Sequence, residues 1–164
     1  MVDAIRKQTK KILHVSNNYL SFPQALLAKK IIENSFPGKV FFSNSGAEAN
    51  EGAIKLARKF GNPKGKFEII TMLNSFHGRT LATITATGQD KVKIGFEPLP
   101  VGFRYVPFND FDALSAAITD STAAIMLEPI QGEGGINVAS DDYLKKARAL
   151  CDQKGMLLIF DEVQ

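Results

Sequence analysis

Short, continuously apolar runs separated by helical patterns constrain the fold of this chain most strongly. Residues 123–127 and 156–160 are two such runs, and neither alternates polar with apolar residues as a half-exposed strand does. Between them, Ser140 precedes an amphipathic pattern that stops at Gly155, which predicts a capped helix. Because buried strands joined by helices are typical of covered parallel sheets, the sequence predicts an α/β fold with a mainly parallel sheet flanked by helices.

The same periodicities predict further elements along the chain. Helices are expected at residues 2–14, 24–34 and 110–118, and another starts within residues 43–46 and stops at Gly61. Strands are expected at residues 39–42, 67–72 and 103–108. In parallel sheets of this kind, ligands bind at the carboxyl ends of the strands. The unusual polar clusters of the chain all follow predicted strands, so we expect them to meet at one site.

Composition excludes several classes of protein and partner. Of the 164 residues, 45% are hydrophobic and 23% are charged, which excludes a disordered tail or a collagen-like repeat. The net charge of +3 comes without a dense basic run, so we expect no nucleic-acid partner. No apolar stretch approaches the ~20 residues that span a membrane, so we expect no membrane partner. The single cysteine, Cys151, is compatible with a reducing cytoplasm.

The first polar cluster, residues 43–51, begins a predicted helix. Unpaired backbone N–H groups and the positive end of the helix dipole favour an anion there, and Gly46 lets a ligand approach the backbone closely. The alternative is an ordinary capped helix without a ligand. On local evidence alone the ordinary helix is favoured, because nucleotide-binding fingerprints are absent.

Three more clusters follow later strands. Residues 74–80 combine Phe76, His77 and Arg79, which could stack on a flat ligand and bind a carboxylate. Residues 128–135 place two acids in a glycine-rich loop, which could be a metal or acid/base site but is more simply a solvated turn. No His or Cys lies nearby, so we expect no zinc, and we assign no metal ligand in this chain. Asp161 emerges from a buried strand and needs a cationic partner, which could be an arginine, a metal or a protonated ligand nitrogen.

Together, the order and spacing of these clusters resemble the fold-type I, class III pyridoxal-phosphate aminotransferases, most closely their acetylornithine and ornithine branch. The resemblance covers nearly the whole chain. The strings that carry it are residues 14–19 with Pro23 and Gln24, and residues 41–51, 53–58, 75–80, 128–133 and 160–164.

The resemblance implies pyridoxal 5′-phosphate as the cofactor. It implies that Ser45, Gly46 and Ala47 hold the phosphate, while Phe76 and Val163 pack on the two faces of the pyridine ring. The fold implied is the large cofactor-binding domain of a transferase that depends on this cofactor.

The resemblance assigns the remaining polar residues to the ring and to the substrate. Asp161 pairs with the pyridine nitrogen and keeps it protonated, supported by Glu128, and these two are the implied catalytic residues. Gln164 binds the phenolic oxygen, and His77 lies beside the cofactor. Two residues are implied to bind substrate: Arg79 holds its carboxylate, and Glu133 moves to admit the second substrate.

The implied reaction is transfer of the δ-amino group of N-acetylornithine to 2-oxoglutarate in arginine synthesis. Ornithine, succinylornithine and succinyl-diaminopimelate remain alternative substrates. An isomerase of the glutamate-1-semialdehyde aminomutase type and a non-catalytic α/β module are more distant alternatives. The partners expected are small amino acids and 2-oxo acids, with a homodimer as the assembly.

The chain also departs from the family pattern. The family's lysine that bonds to the cofactor follows the Asp-Glu-Val-Gln motif, and no lysine here matches it. We therefore expect a central piece of a larger enzyme that is inactive by itself. Residues 1–35 are expected to be a helical segment leading into the large domain, and residues 36–164 an incomplete cofactor-binding large domain.

Overall fold

The computed structural model describes residues 1–16 and 18–164, which form two compact units. The N-terminal unit is Met1–Phe42 and the sheet unit is Ser43–Gln164. The predicted domain assignment, with its boundary after residue 35, stays a prediction. No helix within the described residues is both long enough and apolar enough to cross a membrane.

The N-terminal unit contains two helices, α1 (Val2–Thr9) and α2 (Phe22–Glu33). Pro23 occupies the first turn of α2, where its missing N–H costs no hydrogen bond. The strand predicted at residues 39–42 is wrong, and Phe41 is 77% exposed there. A strand needs a hydrogen-bonded neighbour, and the described residues supply none for this segment. The resemblance at residues 14–19 includes Asn17, which lies outside the described residues.

The sheet unit contains a four-stranded sheet made of β1 (Glu68–Met72), β2 (Phe103–Val106), β3 (Thr122–Leu127) and β6 (Leu157–Phe160). The strand order is β2-β1-β3-β6, and every neighbouring pair is parallel. A short antiparallel hairpin joins β4 (Ile130–Gln131) to β5 (Asn137–Val138). Its helices are α3 (Gly46–Gly61), α4 (Leu81–Ala86), α5 (Phe111–Ala116) and α6 (Asp141–Lys154). The parallel sheet and its helices confirm the predicted α/β class.

Helices cover the sheet because each brings an apolar stripe to it. On one face, Leu114 of α5 and Tyr143 of α6 pack with Ile125 of β3 in a buried core. On the other face, Ile54 of α3 packs with Met126 of the same strand. Every residue of β3 is buried, as its uninterrupted apolar sequence predicted.

The parallel strands deliver three of the predicted polar clusters to one edge of the sheet. The loop at residues 74–80 follows β1, Glu128 follows β3, and Asp161 follows β6. The backbone N–H of Asp161 donates to the carbonyl of Leu127 at 2.9 Å, which continues the β3–β6 pairing for one residue. The carboxyl edge is therefore where a functional site is expected in this fold.

Candidate active site

A cavity of about 280 Å³ lies in the sheet unit between the start of α3 and the segments that follow β1, β3 and β6. All the predicted site residues line it except Ser45 and Glu133. Asn50 and Gly78, for which no role was predicted, line it as well. The folded chain thus brings the four clusters together, while the role of each residue stays a prediction.

The start of α3 provides free backbone donors at this cavity. Ser45 lies just before the helix, and its hydroxyl accepts the Glu48 N–H at 3.2 Å. The N–H groups of Gly46 and Ala47 have no acceptor among the described residues. First-turn N–H groups of this kind bind anions, helped by the helix dipole. Ser45 therefore caps the helix in this structure, and Gly46 and Ala47 offer the anion site.

Gly78 allows the loop after β1 to approach α3. Its φ of +133° is one that residues with side chains rarely adopt. A Cβ atom at this position would lie 2.7 Å from Oγ1 of Thr83 and 2.8 Å from Cβ of Ala47. A glycine is therefore required between His77 and Arg79 for both neighbours to reach the cavity.

Asp161 is the buried carboxylate of the cavity, with only 4% of its side chain exposed. Its Oδ2 atom accepts from Nδ1 of His77 at 2.8 Å and from Nδ2 of Asn50 at 2.7 Å. Its Oδ1 atom accepts the Val163 N–H at 3.1 Å. Burial raises the pKa of Asp161, but these hydrogen bonds outweigh burial and hold it below the ordinary value. The side chain is therefore ionised at neutral pH.

His77 and Asn50 form a buried network around this carboxylate. Asn50 also donates to the backbone carbonyl of His77 at 2.8 Å, and the His77 N–H donates to Oγ1 of Thr87 at 2.9 Å. The Nε2 atom of His77 is buried and has no hydrogen-bond partner among the described residues. Sequence reasoning missed Asn50, although it is a polar residue on the apolar stripe that Ile54 and Ala57 define.

Glu128 is also buried, at 3% exposure, and it holds the loop after β1. Its Oε2 atom accepts the backbone N–H of Phe76 at 2.9 Å. Burial raises the pKa of Glu128 above its ordinary value, and the Phe76 hydrogen bond offsets only part of that increase. The predicted support of Asp161 by Glu128 is not seen as a direct hydrogen bond; its partner is the Phe76 backbone.

Arg79 and Glu133, the two predicted substrate-binding residues, differ in placement. The guanidinium carbon of Arg79 lies 5.5 Å from the centre of the Phe76 ring, at the cavity. Glu133 lies outside the cavity lining, and its Oε2 atom accepts from Nε2 of Gln89 at 2.5 Å. Gln89 is itself fixed by a 3.0 Å hydrogen bond to the carbonyl of Ser75. The structure therefore does not bring Glu133 together with the other site residues.

The arrangement suits a flat, anionic ligand that carries a protonatable ring nitrogen. The start of α3 offers donors to an anion, Phe76 offers an aromatic ring, and Asp161 offers a buried negative charge. A charge in such a place is stable only with a donor or a cation opposite it. Among the described residues, no cluster of three or more His, Cys, Asp or Glu could hold a metal ion.

Known proteins resemble this chain along its whole length. The model of the family described as aminotransferase class-III matches residues 1–164. An acetylornithine aminotransferase from Methanocaldococcus jannaschii is 60% identical, with 100% of this chain and 42% of the relative covered. One from Caldanaerobacter subterraneus subsp. tengcongensis is 58% identical at the same coverage. The chain thus spans about 42% of the length of these curated relatives.

Solved structures agree with these sequence matches. An ornithine aminotransferase from Toxoplasma gondii, described with partial occupancy of pyridoxal phosphate at its active site, matches with a TM-score of 0.91 and 32% identity. The match covers 97% of this chain and 39% of that protein. N-acetylornithine aminotransferase from Stenotrophomonas maltophilia K279a matches with a TM-score of 0.78 and 40% identity, at the same coverage. The chain belongs to the class-III aminotransferases, a family whose cofactor is pyridoxal 5′-phosphate.

Proposed function

We propose that the protein containing this chain transfers the δ-amino group of N-acetylornithine to 2-oxoglutarate, with pyridoxal 5′-phosphate in the cavity described above. The observation that carries the proposal is the buried, ionised Asp161 in a cavity that also holds the free N–H groups of α3. Relatives at 52–60% identity named acetylornithine aminotransferase support the choice of substrate.

The residues present fit the ring of the cofactor. Asp161 would pair with the pyridine nitrogen, because a buried carboxylate with a lowered pKa stabilises a proton on that atom. When bound, the cofactor withdraws electrons from the substrate carbon that carries the amino group, and a protonated ring nitrogen strengthens this withdrawal. Phe76 and Val163 would pack on the ring faces, and Gln164 would bind the phenolic oxygen.

The residues present also fit the phosphate of the cofactor. The N–H groups of Gly46 and Ala47 are free to donate to its oxygens, and the dipole of the 16-residue helix α3 favours its negative charge. Ser45 acts on the phosphate indirectly, because its hydroxyl caps the helix and so fixes the direction of those N–H groups. The phosphate would thus be held largely by backbone.

Arg79 would bind the substrate carboxylate. Its planar guanidinium lies at the cavity beside Phe76, and two parallel N–H groups match the two oxygens of a carboxylate. Glu133 would act on the second substrate only after leaving its partner Gln89. Glu128 holds the backbone of Phe76, which keeps the ring-binding loop in place.

We also propose the biological setting: arginine biosynthesis in the cytoplasm, by a homodimer that binds neither nucleic acid nor membrane. The substrate class supports the pathway, and the single, buried Cys151 is compatible with a reducing compartment. Exposed apolar side chains of the sheet unit support a protein partner, among them Leu56, Leu81 and Ile94, which are 58–75% exposed.

A substrate panel tests the proposal on the full-length protein. With pyridoxal phosphate and 2-oxoglutarate present, N-acetylornithine should give glutamate with a higher kcat/KM than ornithine, succinylornithine or succinyl-diaminopimelate. Omitting 2-oxoglutarate is the control, because an isomerase of the aminomutase type would turn over without it. Preference for another donor would reject the substrate, and turnover that does not require 2-oxoglutarate would reject the reaction.

A further inference from the structure

Glu51 of α3 holds the start of α4, the helix that follows Arg79. Its Oε1 atom accepts a hydrogen bond from the hydroxyl of Thr80 and another, at 3.2 Å, from the backbone N–H of Ala82. Ala82 is in the first turn of α4, where N–H groups have no partner within their own helix. A side chain of α3 therefore supplies an acceptor that the start of α4 lacks.

Thr80 is fixed through its backbone as well as through its side chain. Its N–H donates to Oγ1 of Thr83 at 3.0 Å, and Thr83 is fully buried. A carboxylate oxygen only accepts hydrogen bonds, so the single hydroxyl hydrogen of Thr80 points to Glu51. Gly78, on the other side of Arg79 in the chain, lies against the same Thr83 side chain. The backbone is therefore held both before and after Arg79.

The helix α3 links the Glu51–Thr80 hydrogen bond to the proposed cofactor site. Its first two residues, Gly46 and Ala47, offer their N–H groups at the anion site. An α-helix rises 1.5 Å per residue, so Glu51 lies at a fixed distance of about 6 to 8 Å from them along the axis. The guanidinium of Arg79 is held at its other end by the Phe76 ring, 5.5 Å away. The anion site and Arg79 are thus positioned by the same rigid element.

We propose that Glu51 and Thr80 are positioning residues for Arg79, and that their hydrogen bond makes the site selective for the distance between the amino group and the carboxylate of the donor. This inference rests on the proposed role of Arg79 as the residue that binds the substrate carboxylate. The amino group reacts at the cofactor, whose phosphate would be held at the start of α3. Because α3 fixes this point directly and Arg79 through Glu51, a donor of the wrong length reaches only one of them in a productive position.

The experiment measures length selectivity in the full-length protein saturated with pyridoxal phosphate. The length ratio is kcat/KM for N-acetylornithine divided by kcat/KM for Nα-acetyllysine, which has one more methylene between its amino group and its carboxylate-bearing carbon. Thr80→Val removes the hydroxyl and keeps the shape of the side chain. We expect it to raise KM for N-acetylornithine and to lower the length ratio about 3- to 10-fold. The Kd for pyridoxal phosphate should stay within a few-fold of the wild-type value.

Matched variants separate positioning of Arg79 from a general loosening of α4. Thr80→Ser keeps the hydroxyl and should keep the wild-type length ratio, whereas Glu51→Leu removes the acceptor and should lower it as Thr80→Val does. Thr85→Val removes a hydroxyl from the same helix, one that donates to the carbonyl of Leu81 at 2.6 Å, and should leave the ratio unchanged. In an Arg79→Ala background, Thr80→Val should have no further effect on the ratio, because the residue that it positions is gone.

Other outcomes would overturn the inference. A wild-type length ratio in folded Thr80→Val would show that selectivity does not depend on this hydrogen bond. An equal loss in Thr85→Val would assign the effect to the stability of α4 and not to Arg79. A wild-type protein that uses both donors with the same kcat/KM would also contradict the proposal. If Thr80→Val does not fold, Glu51→Leu decides by the same measurement.

These results are separable from the proposed reaction. If the wild-type protein prefers ornithine or succinylornithine, the proposed substrate is rejected, and the length ratio is then measured with that donor and the corresponding lysine compound. A ratio that falls in Thr80→Val would still support the positioning role. Active transamination of N-acetylornithine with a length ratio indifferent to Thr80 would reject the positioning role and support the reaction.

Discussion

A β-carbon added to Gly46 would lie 2.7 Å from Cγ1 and 2.8 Å from Cγ2 of Val163. The backbone at the start of α3 therefore lies so close to the Val163 side chain that no side chain fits at position 46. Gly46 is not in the left-handed region of backbone space, so its requirement is for room and not for an unusual conformation. Both residues line the cavity, and the approach helps to define its shape.

Gly46→Ala should weaken cofactor binding, because the new methyl group displaces Val163 from its place at the cavity. Overpacking of this kind costs about 1–3 kcal/mol of stability, and a loss of the same size in binding free energy would raise Kd roughly 5- to 150-fold. Equilibrium titration with pyridoxal phosphate measures the effect. In a Val163→Ala background the same change should cost much less, because that substitution makes room. An equal loss in both backgrounds would contradict the steric explanation.

Asp161→Asn should lower kcat by about 10²- to 10³-fold, the usual cost of removing one preorganised electrostatic contact. The amide has no negative charge to hold a proton on the ring nitrogen. Asp120→Asn is the matched control, because Asp120 is exposed and lies outside the cavity. Steady-state kinetics and the melting temperature of both variants separate activity from folding. Near-normal turnover in folded Asp161→Asn would show that this carboxylate is not the ring partner.

Glu128→Gln should stabilise the protein at neutral pH and lose this advantage as the pH falls. The pKa of Glu128 is raised in the folded state, so its ionised form destabilises the fold above that pKa. Protonation removes this penalty as the pH falls through the raised pKa. Glutamine keeps an oxygen to accept the Phe76 N–H. Denaturant unfolding of both proteins between pH 7 and about pH 4 measures the difference, and a difference independent of pH would contradict the assignment.

Asp161 contributes to the pH dependence with the opposite sign. Its pKa is lowered in the folded state, so its ionisation stabilises the fold above the unfolded pKa, and that stability is lost as the pH falls through the folded value. In the Asp161→Asn protein this loss at acidic pH should therefore be smaller than in the wild type.

Arg79→Lys should lower kcat/KM for N-acetylornithine about 10- to 100-fold, although the charge is retained. A lysine lacks the planar fork that matches a carboxylate, and it loses the stacking on Phe76. The affinity for pyridoxal phosphate serves as the control and should stay within a few-fold. Unchanged kinetics would mean that another residue holds the substrate carboxylate.

Borohydride reduction of the full-length protein, after loading with pyridoxal phosphate, should attach the cofactor permanently to a lysine outside these 164 residues. No lysine lines the cavity, so none within the described part of the chain is placed to bond to the cofactor. Peptide mass mapping locates the label. Stoichiometric labelling of a lysine within residues 1–164 would show that the cavity opens differently when the cofactor binds.

The centre of the sheet could be predicted because β3 and nearly all of β1 are buried on both faces. An uninterrupted apolar run such as β3 has few alternatives once helices flank it. The strand expected at residues 39–42 failed because a local pattern cannot show whether a partner strand is present. The hairpin of β4 and β5 was missed because two residues in each strand are too few to show a period.

The site was predictable to the extent that its residues follow strands or match a family motif. Asn50 was missed because its role depends on Asp161, 111 positions later, and a polar residue on the buried face of a helix does not identify that partner. The partner of Glu133 could not be predicted from the sequence either, because Gln89 lies in an irregular loop 44 positions earlier. Side-chain pairs of this kind are set by packing at the sheet edge and not by local sequence.

The position of β6 has a consequence for how the protein acquires its cofactor. β6 follows β1 and β3 along the chain, and the hydrogen bond between Asp161 and Leu127 forms only when β6 docks on β3. A growing polypeptide must therefore be synthesised through residue 161 before His77 can meet its carboxylate. A ligand that binds only this assembled site would stabilise the native state, by about 2.7 kcal/mol at a free concentration of about 100 times its Kd.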